Sequence, residues 1–214
     1  SKYPMIHQAV LAACDAIDGL KDGLIDDPTQ CKFDPRVLQC KSEDGPACLT
    51  ASQVDTARKV MSPARNSRTG AEIFPGYEPG TELGWGNLVA GPEAHGNAVD
   101  QFKYLVFKDT NWDWKTFDLD RDAPLADKAD DGLMNAINPD LRPFAGHGGK
   151  LILYHGWSDQ QVAPRSTINY YNSVLDTMGG AAKTSGWLRL FMVPGMGHCS
   201  GGEGPNTFDM LTQL

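Results

Sequence analysis

Lys150-Leu-Ile-Leu-Tyr154, running on into His155-Gly-Trp-Ser-Asp159, organises the C-terminal part of the chain. Its first five residues form a compact β-type run, and the glycine and polar residues behind them mark a loop. Trp187-Leu-Arg-Leu-Phe-Met-Val193 is a second such run, and it passes into Pro194-Gly-Met-Gly-His198-Cys199. Between the two, Pro164 to Met178 reads as a helix with Ile168, Tyr171, Leu175 and Met178 on one face, ended by Gly179-Gly180. Strand, helix and strand in that order predict a parallel pair joined by a right-handed crossover, hence an α/β architecture.

Each predicted strand ends in a loop that bears a titratable side chain, Asp159 on the first and His198 on the second. Parallel strands bring their C-terminal loops to one edge of the sheet, where open α/β sheets bind ligands. Taken singly, an aspartate after a strand is an ordinary turn or cap residue, and a histidine in a glycine-rich loop is ordinary too. On one strand–helix–strand frame they read as an acid and a base. A carboxylate that accepts from one imidazole nitrogen fixes the tautomer and stabilises the imidazolium formed in catalysis. The order acid then base, after an earlier serine, is that of the α/β-hydrolases. Gly195, Gly197, Gly201 and Gly202 give the His198 loop conformational freedom.

A nucleophile is missing from this pattern. The chain has no Gly-x-Ser-x-Gly turn; Ser158 sits in a Trp-Ser-Asp loop, Ser200 is too close to His198 in sequence, and Cys199 would need another base. The expectation is an incomplete triad whose serine lies outside these 214 residues.

Composition is that of a globular protein, with 41% hydrophobic and 21% charged residues and a net charge of -8. No cluster of Lys and Arg suggests a nucleic-acid partner. No apolar run approaches the ~20 residues that span a bilayer, so no membrane partner is expected. Glycine and proline concentrate between Gly70 and Gly96 and between Gly195 and Pro205, and there is no internal repeat.

Residues 4–13 read as a helix with Pro4 in its first turn and Ile6, Val10 and Ala13 on one face. Thr50-Ala-Ser-Gln53 is a capping box, with Leu49 and Val54 placed as a hydrophobic staple, for a helix running to about Met61 before Ser62-Pro63. Residues 101–117 carry Phe102, Tyr104, Phe107, Trp112, Trp114 and Phe117, which serve core packing or line an aryl pocket. A further helix is predicted from Asp127 to Ile137, closed by Asn138-Pro139.

Cys14-Asp15-Ala-Ile-Asp18-Gly-Leu-Lys-Asp22-Gly-Leu-Ile-Asp26-Asp27-Pro-Thr-Gln-Cys31 packs five aspartates into 13 residues. Carboxylates so close repel unless solvent or a cation screens them. Hard oxygens separated by glycine turns suit Ca²⁺, which takes ~6–8 oxygen ligands; a solvated acidic loop is the alternative. The five cysteines are Cys14, Cys31, Cys40, Cys48 and Cys199. They are either unpaired thiols or a disulfide set in which an odd count implies a partner elsewhere. No Cys-x-x-Cys pair suggests zinc.

Ala12 to Gly23, Cys31-Lys-Phe-Asp-Pro35, Asn138-Pro-Asp-Leu141, Gly148 to Asp159 and Gly195-Met-Gly-His-Cys199 together resemble the tannase and feruloyl esterase family, which also includes mono(2-hydroxyethyl) terephthalate hydrolases. The resemblance implies an α/β-hydrolase core with a Ser-Asp-His triad and a large irregular, disulfide-containing lid. It makes Asp159 and His198 the acid and base. It implies a structural Ca²⁺ held by Asp15, Asp18 and Asp22 with the main-chain carbonyls of Leu20 and Leu24. It pairs Cys14 with Cys31 and Cys40 with Cys48, and gives Cys199 a partner upstream, beside the serine. A bridge closing the Cys14–Cys31 loop contributes roughly 3 kcal/mol.

On this basis residues 1–145 are expected to be mainly lid, entered through the first helix and carrying the calcium loop. Residues 146–214 are expected to be the C-terminal part of the core. The expected function is serine ester hydrolysis of small aromatic esters (gallate, hydroxycinnamate or terephthalate) in a secreted or periplasmic enzyme. Its partner is the missing N-terminal part that carries the serine. A non-catalytic module stabilised by disulfides and calcium is the other reading.

Overall fold

The structure, a computed structural model, describes residues 1–87, 93–198 and 200–214. Helix α1 spans Tyr3–Cys14, with Pro4 in the first turn where its missing N–H leaves no bond unmade. Its inner face places Ile6, Val10 and Cys14 in a buried cluster with Ile25, Leu49, Val54, Ala57 and Trp85. Two disulfides, Cys14–Cys31 and Cys40–Cys48, hold the irregular segment that follows, with Cα separations of 5.4 and 5.0 Å. These are the pairings the family resemblance implied; Cys199 lies outside the described residues.

Helix α2, Ala51–Met61, starts as its sequence predicts. The Gln53 N–H donates to Thr50 Oγ1 at 3.2 Å, and the Thr50 N–H donates to Gln53 Oε1 at 3.0 Å. Leu49 and Val54, the staple pair, are both buried in the cluster. Strands β1 (Ala64–Arg65) and β2 (Glu72–Phe74) form a small antiparallel ribbon. The 3₁₀ segment Glu82–Asn87 then delivers Trp85 to the core, where its indole N–H donates to Thr81 Oγ1 at 2.9 Å.

Helix α3, Gly96–Asp100, continues into a π-helical turn, Gln101–Val106. Phe102, Phe107, Trp112 and Phe117 pack on one another, with ring centroids 4.9–6.1 Å apart. Helix α4 is Leu119–Asp130, not the predicted Asp127–Ile137. Asp118 is the cap that decides this: its carboxylate accepts from the Arg121 N–H at 2.9 Å. Asp130 ends the helix by turning its carboxylate onto the N–H groups of Met134 and Asn135, both at 2.9 Å. The apolar residues after it therefore form turns, outside any helix.

Helix α5 is Arg142–Gly146, and strand β3 is Leu151–Gly156. Helix α6 (Arg165–Met178) and the short α7 (Ala181–Thr184) cross over to strand β4, Leu188–Val193. Gly179 ends α6 at φ 88°, the left-handed conformation that glycine adopts without steric cost. The strands pair in parallel from Leu151 with Leu188 to Gly156 with Val193, as the strand–helix–strand order predicts. A last turn of helix, α8, is Met210–Gln213. No helix among the described residues is long and apolar enough to cross a membrane.

The earlier part of the chain packs directly on the β3–α6 connection. Arg165 donates to the buried Glu78 through Nε at 2.7 Å, and the Tyr77 hydroxyl donates to the Gln161 carbonyl at 3.2 Å.

Candidate active site

The β3–β4 register carries both loops to the same edge, and the backbone laces them together. The Trp157 N–H donates to the Val193 carbonyl at 2.9 Å, and the Ser158 N–H donates to the Met196 carbonyl at 3.0 Å. A side chain at position 156 would overlap the Met196 carbonyl, so this close approach needs Gly156. With the loops so joined, Asp159 Oδ2 lies 2.9 Å from His198 Nδ1.

Asp159 is 3% exposed and fully engaged. Its Oδ1 accepts from the N–H groups of Gln161 at 2.7 Å and Val162 at 2.9 Å. Its Oδ2 also faces His155 Nε2 at 3.0 Å. Burial alone would push the carboxyl pKa up. The bonds from His155, Val162, His198 and Gln161 outweigh it and bring the value down to about 2, so the group is ionised across the neutral range.

The tautomers follow from the partners. His198 Nδ1 faces a carboxylate and therefore carries the hydrogen, which leaves Nε2 to act as a base. His155 Nε2 faces two acceptors, Asp159 Oδ2 and the Val162 carbonyl at 3.2 Å, so it too carries the hydrogen. Its Nδ1 then accepts from the Thr167 hydroxyl at 2.7 Å. His198 is partly open to a cleft of about 290 Å³, lined among others by Thr81, Leu83, Ser158, Gln160 and Gly197. The aromatic side chains of segment 102–117 do not line it among the described residues. The mutual stacking of Phe102, Phe107, Trp112 and Phe117 accords with a packing role for these four.

His155 is the neighbour that sequence reasoning passes over. It stands just past the β-type run Lys150–Tyr154, where the sequence reads as the start of a loop, whereas strand β3 runs on to Gly156. Its spacing of four residues from Asp159 becomes contact only because the chain turns at Trp157 and Ser158.

In the acidic loop, Asp15 is buried and its Oδ1 accepts from the N–H groups of Asp22 and Gly23, at 3.2 and 3.1 Å. Asp18 Oδ1 accepts from the Leu20 N–H at 2.8 Å, and Asp22 Oδ1 from the Leu24 N–H at 3.1 Å. These bonds fold the loop through Gly19 and Gly23, at φ 95° and 87°. The remaining donors are hard oxygens, carboxylate and carbonyl, of the kind that suits Ca²⁺. Among the described residues no three His, Cys, Asp or Glu side chains converge as a ready metal cluster.

The family model described as tannase and feruloyl esterase matches residues 1–214, and the chain belongs to that family. An uncharacterised esterase of Xanthomonas campestris pv. campestris is 37% identical over 239 residues, covering 99% of this chain and 42% of that protein. A probable feruloyl esterase B-1 of Aspergillus oryzae is 34% identical, covering 99% of this chain and 40% of its own length. The crystal structure of feruloyl esterase B from Aspergillus oryzae superposes with a TM-score of 0.89 at 32% identity, over 97% of this chain and 43% of that one. Tannin acyl hydrolase from Aspergillus niger shares the fold, with a TM-score of 0.79 at 23% identity. The chain thus spans about two fifths of the length of the relatives it matches.

Proposed function

We propose that these residues supply the acid and base of a serine carboxylic ester hydrolase acting on small aromatic esters such as gallates, hydroxycinnamates or terephthalates. The observation that carries this reading is the 2.9 Å bond from His198 Nδ1 to an ionised, buried Asp159, on a ring that borders a cleft. The nucleophilic serine comes from outside these 214 residues.

His198 Nε2 takes the serine hydroxyl proton as the oxygen attacks the ester carbonyl carbon. The imidazolium so formed is stabilised by Asp159 and gives its proton to the departing alcohol oxygen as the C–O bond breaks. Water then repeats the cycle: it loses a proton to His198, attacks the acyl-enzyme, and the serine oxygen leaves with that proton. Residues 1–145 act mainly as a lid over the core that begins near residue 146; Tyr77 resting on the acid-bearing loop and Glu78 on Arg165 at the start of α6 support the contact between them.

The donor chemistry of Asp15, Asp18, Asp22 and the carbonyls of Leu20 and Leu24 supports a structural Ca²⁺ that screens the clustered carboxylates. Two disulfides suit an oxidising compartment, and secretion or export to a periplasm accords with them.

The test is turnover of a chromogenic aromatic ester by the enzyme that contains both this chain and its serine. His198→Ala should lower kcat by about 10⁴-fold or more. Activity within a few fold of the parent would overturn the reading.

A further inference from the structure

A buried histidine that is not among the residues lining the cleft bonds to the loop that carries His198. His7 lies on α1 and is 2% exposed. Its Nδ1 is 2.9 Å from Glu82 Oε2, and its Nε2 is 2.9 Å from Glu203 Oε2. Carboxylates only accept, so each ring nitrogen donates and the ring is an imidazolium between two anions. The bond to Glu82 raises the pKa of His7 above the ordinary imidazole value, against the cost of burial. Glu82 is 0% exposed, and its other oxygen accepts from the Gly80 N–H at 2.9 Å. One end of the clamp is therefore anchored in the protein interior.

The other end is the His198 loop. Glu203 and Gly204 both donate their N–H to the Gly195 carbonyl, at 2.9 and 3.2 Å, and Gly197 donates to the Gly201 carbonyl at 3.0 Å. These bonds close a small hairpin with His198 near its tip. Gly195, Gly201 and Gly202 take φ values of 66°, 66° and 91°, conformations that cost glycine little strain but much entropy to order. Such a loop holds a catalytic ring in place only if something outside it fixes its base. Among the described residues, two side chains of residues 195–204 bond outside the segment: His198 to Asp159, and Glu203 to His7.

We propose that the Glu82–His7–Glu203 clamp positions His198, with His7 as the positioning residue that fixes the loop base so that Nδ1 meets Asp159 and Nε2 faces the cleft. This rests on the reading of His198 as the general base. His7 is not among the residues that line the cleft, although Glu203 is, and His7 acts through the loop alone.

The test uses the enzyme that contains this chain and its serine, with Glu203→Ala as the principal variant, because removing His7 would strand the buried Glu82 and risk the fold. Freeing the loop base should lower kcat by about tenfold or more, since sub-ångström misplacement of a catalytic group is costly. Glu203 also borders the cleft, so KM is read apart from kcat: it should hold within about twofold, and a rise in KM with kcat unchanged would make Glu203 a substrate contact and overturn the proposal. Hydrogen exchange at the Gly197 and Glu203 amides should speed up in the same variant. Glu203→Gln, whose amide oxygen still accepts from His7 Nε2, should recover most of kcat and restore slow exchange. Unchanged kcat and exchange in Glu203→Ala, or a Gln variant as impaired as the Ala variant, would overturn the proposal. Activity that survives His198→Ala would sink the esterase reading instead, and the exchange comparison would then decide the clamp by itself.

Discussion

His155 and His198 share one acceptor. Their Nε2 and Nδ1 atoms approach Asp159 Oδ2 from 3.0 and 2.9 Å. A carboxylate oxygen carries two lone pairs, so both bonds form at once, and each restricts where the other lies. The catalytic couple is in this sense a trio. The third member is itself held by the Thr167 hydroxyl on α6.

His155→Phe removes that donor while keeping a ring of similar bulk. Asp159 then loses both orientation and one of the bonds that keep its pKa near 2. A hydrogen bond to a charged group is worth about 1.5–3 kcal/mol, so kcat/KM should fall by about tenfold or more. Steady-state kinetics on an aromatic ester checks this, and a variant as active as the parent would mean that Gln161 and Val162 suffice to hold the carboxylate.

The same carboxylate sets a pH dependence of stability. Its pKa is lowered from 3.8 to about 2 in the folded state. A depressed carboxylate contributes stability that is fully present above the unfolded value and is lost as pH falls through the folded one. The window is thus from about pH 4 down to about pH 2, and the contribution is about 2 kcal/mol. Denaturant midpoints measured at pH 6 and pH 3 should fall further for the parent than for Asp159→Asn, which has no charge to protonate.

Gly156→Ala tests the joint between the two loops. The added methyl group would meet the Met196 carbonyl, so β3's exit and the His198 loop must separate. A stability loss of about 2 kcal/mol or more is expected from such a backbone clash, with a fall in kcat in the complete enzyme. Wild-type stability and activity would show that the loops part without cost.

Calcium should raise the melting temperature, and chelator should reverse the rise. At a free concentration about a hundredfold above Kd the gain is about 2.7 kcal/mol. Asp18→Ala should abolish the response, since Asp18 lies among the clustered carboxylates. An equal response in that variant would move any cation away from the Asp15–Asp22 loop.

Much of the fold was legible because it is written locally. The capping box at Thr50, the strands at 151 and 188 and the stop at Gly179 each depend on residues a few positions apart. Helix α4 departs from the predicted Asp127–Ile137 because the Asp118 cap starts it at Leu119 and the Asp130 carboxylate closes it. Asp159 and His198 were legible because parallel topology converts two separate loop positions into neighbours. His155, His7, Glu82 and Glu203 were not. Partners 75 and 196 residues apart, such as His7 with Glu82 and Glu203, have no local signature. Buried charge reads in sequence as ordinary surface charge.

The pairing of β3 with β4 in an unbroken parallel register has one more consequence. Asp159 and His198 meet because of how two strands align, and the helical crossover between them contributes only Thr167 and Arg165 near its start. The stretch after these, through α7 to Trp187, keeps Val174 and Thr184 buried and lends the Trp187 carbonyl to the Leu151 N–H at 2.7 Å, so its exposed positions are the ones that can change without moving the reacting groups. Diversity is therefore tolerated on the far side of the crossover, while invention at the cleft has to come from the loops and from whatever segment lies over them.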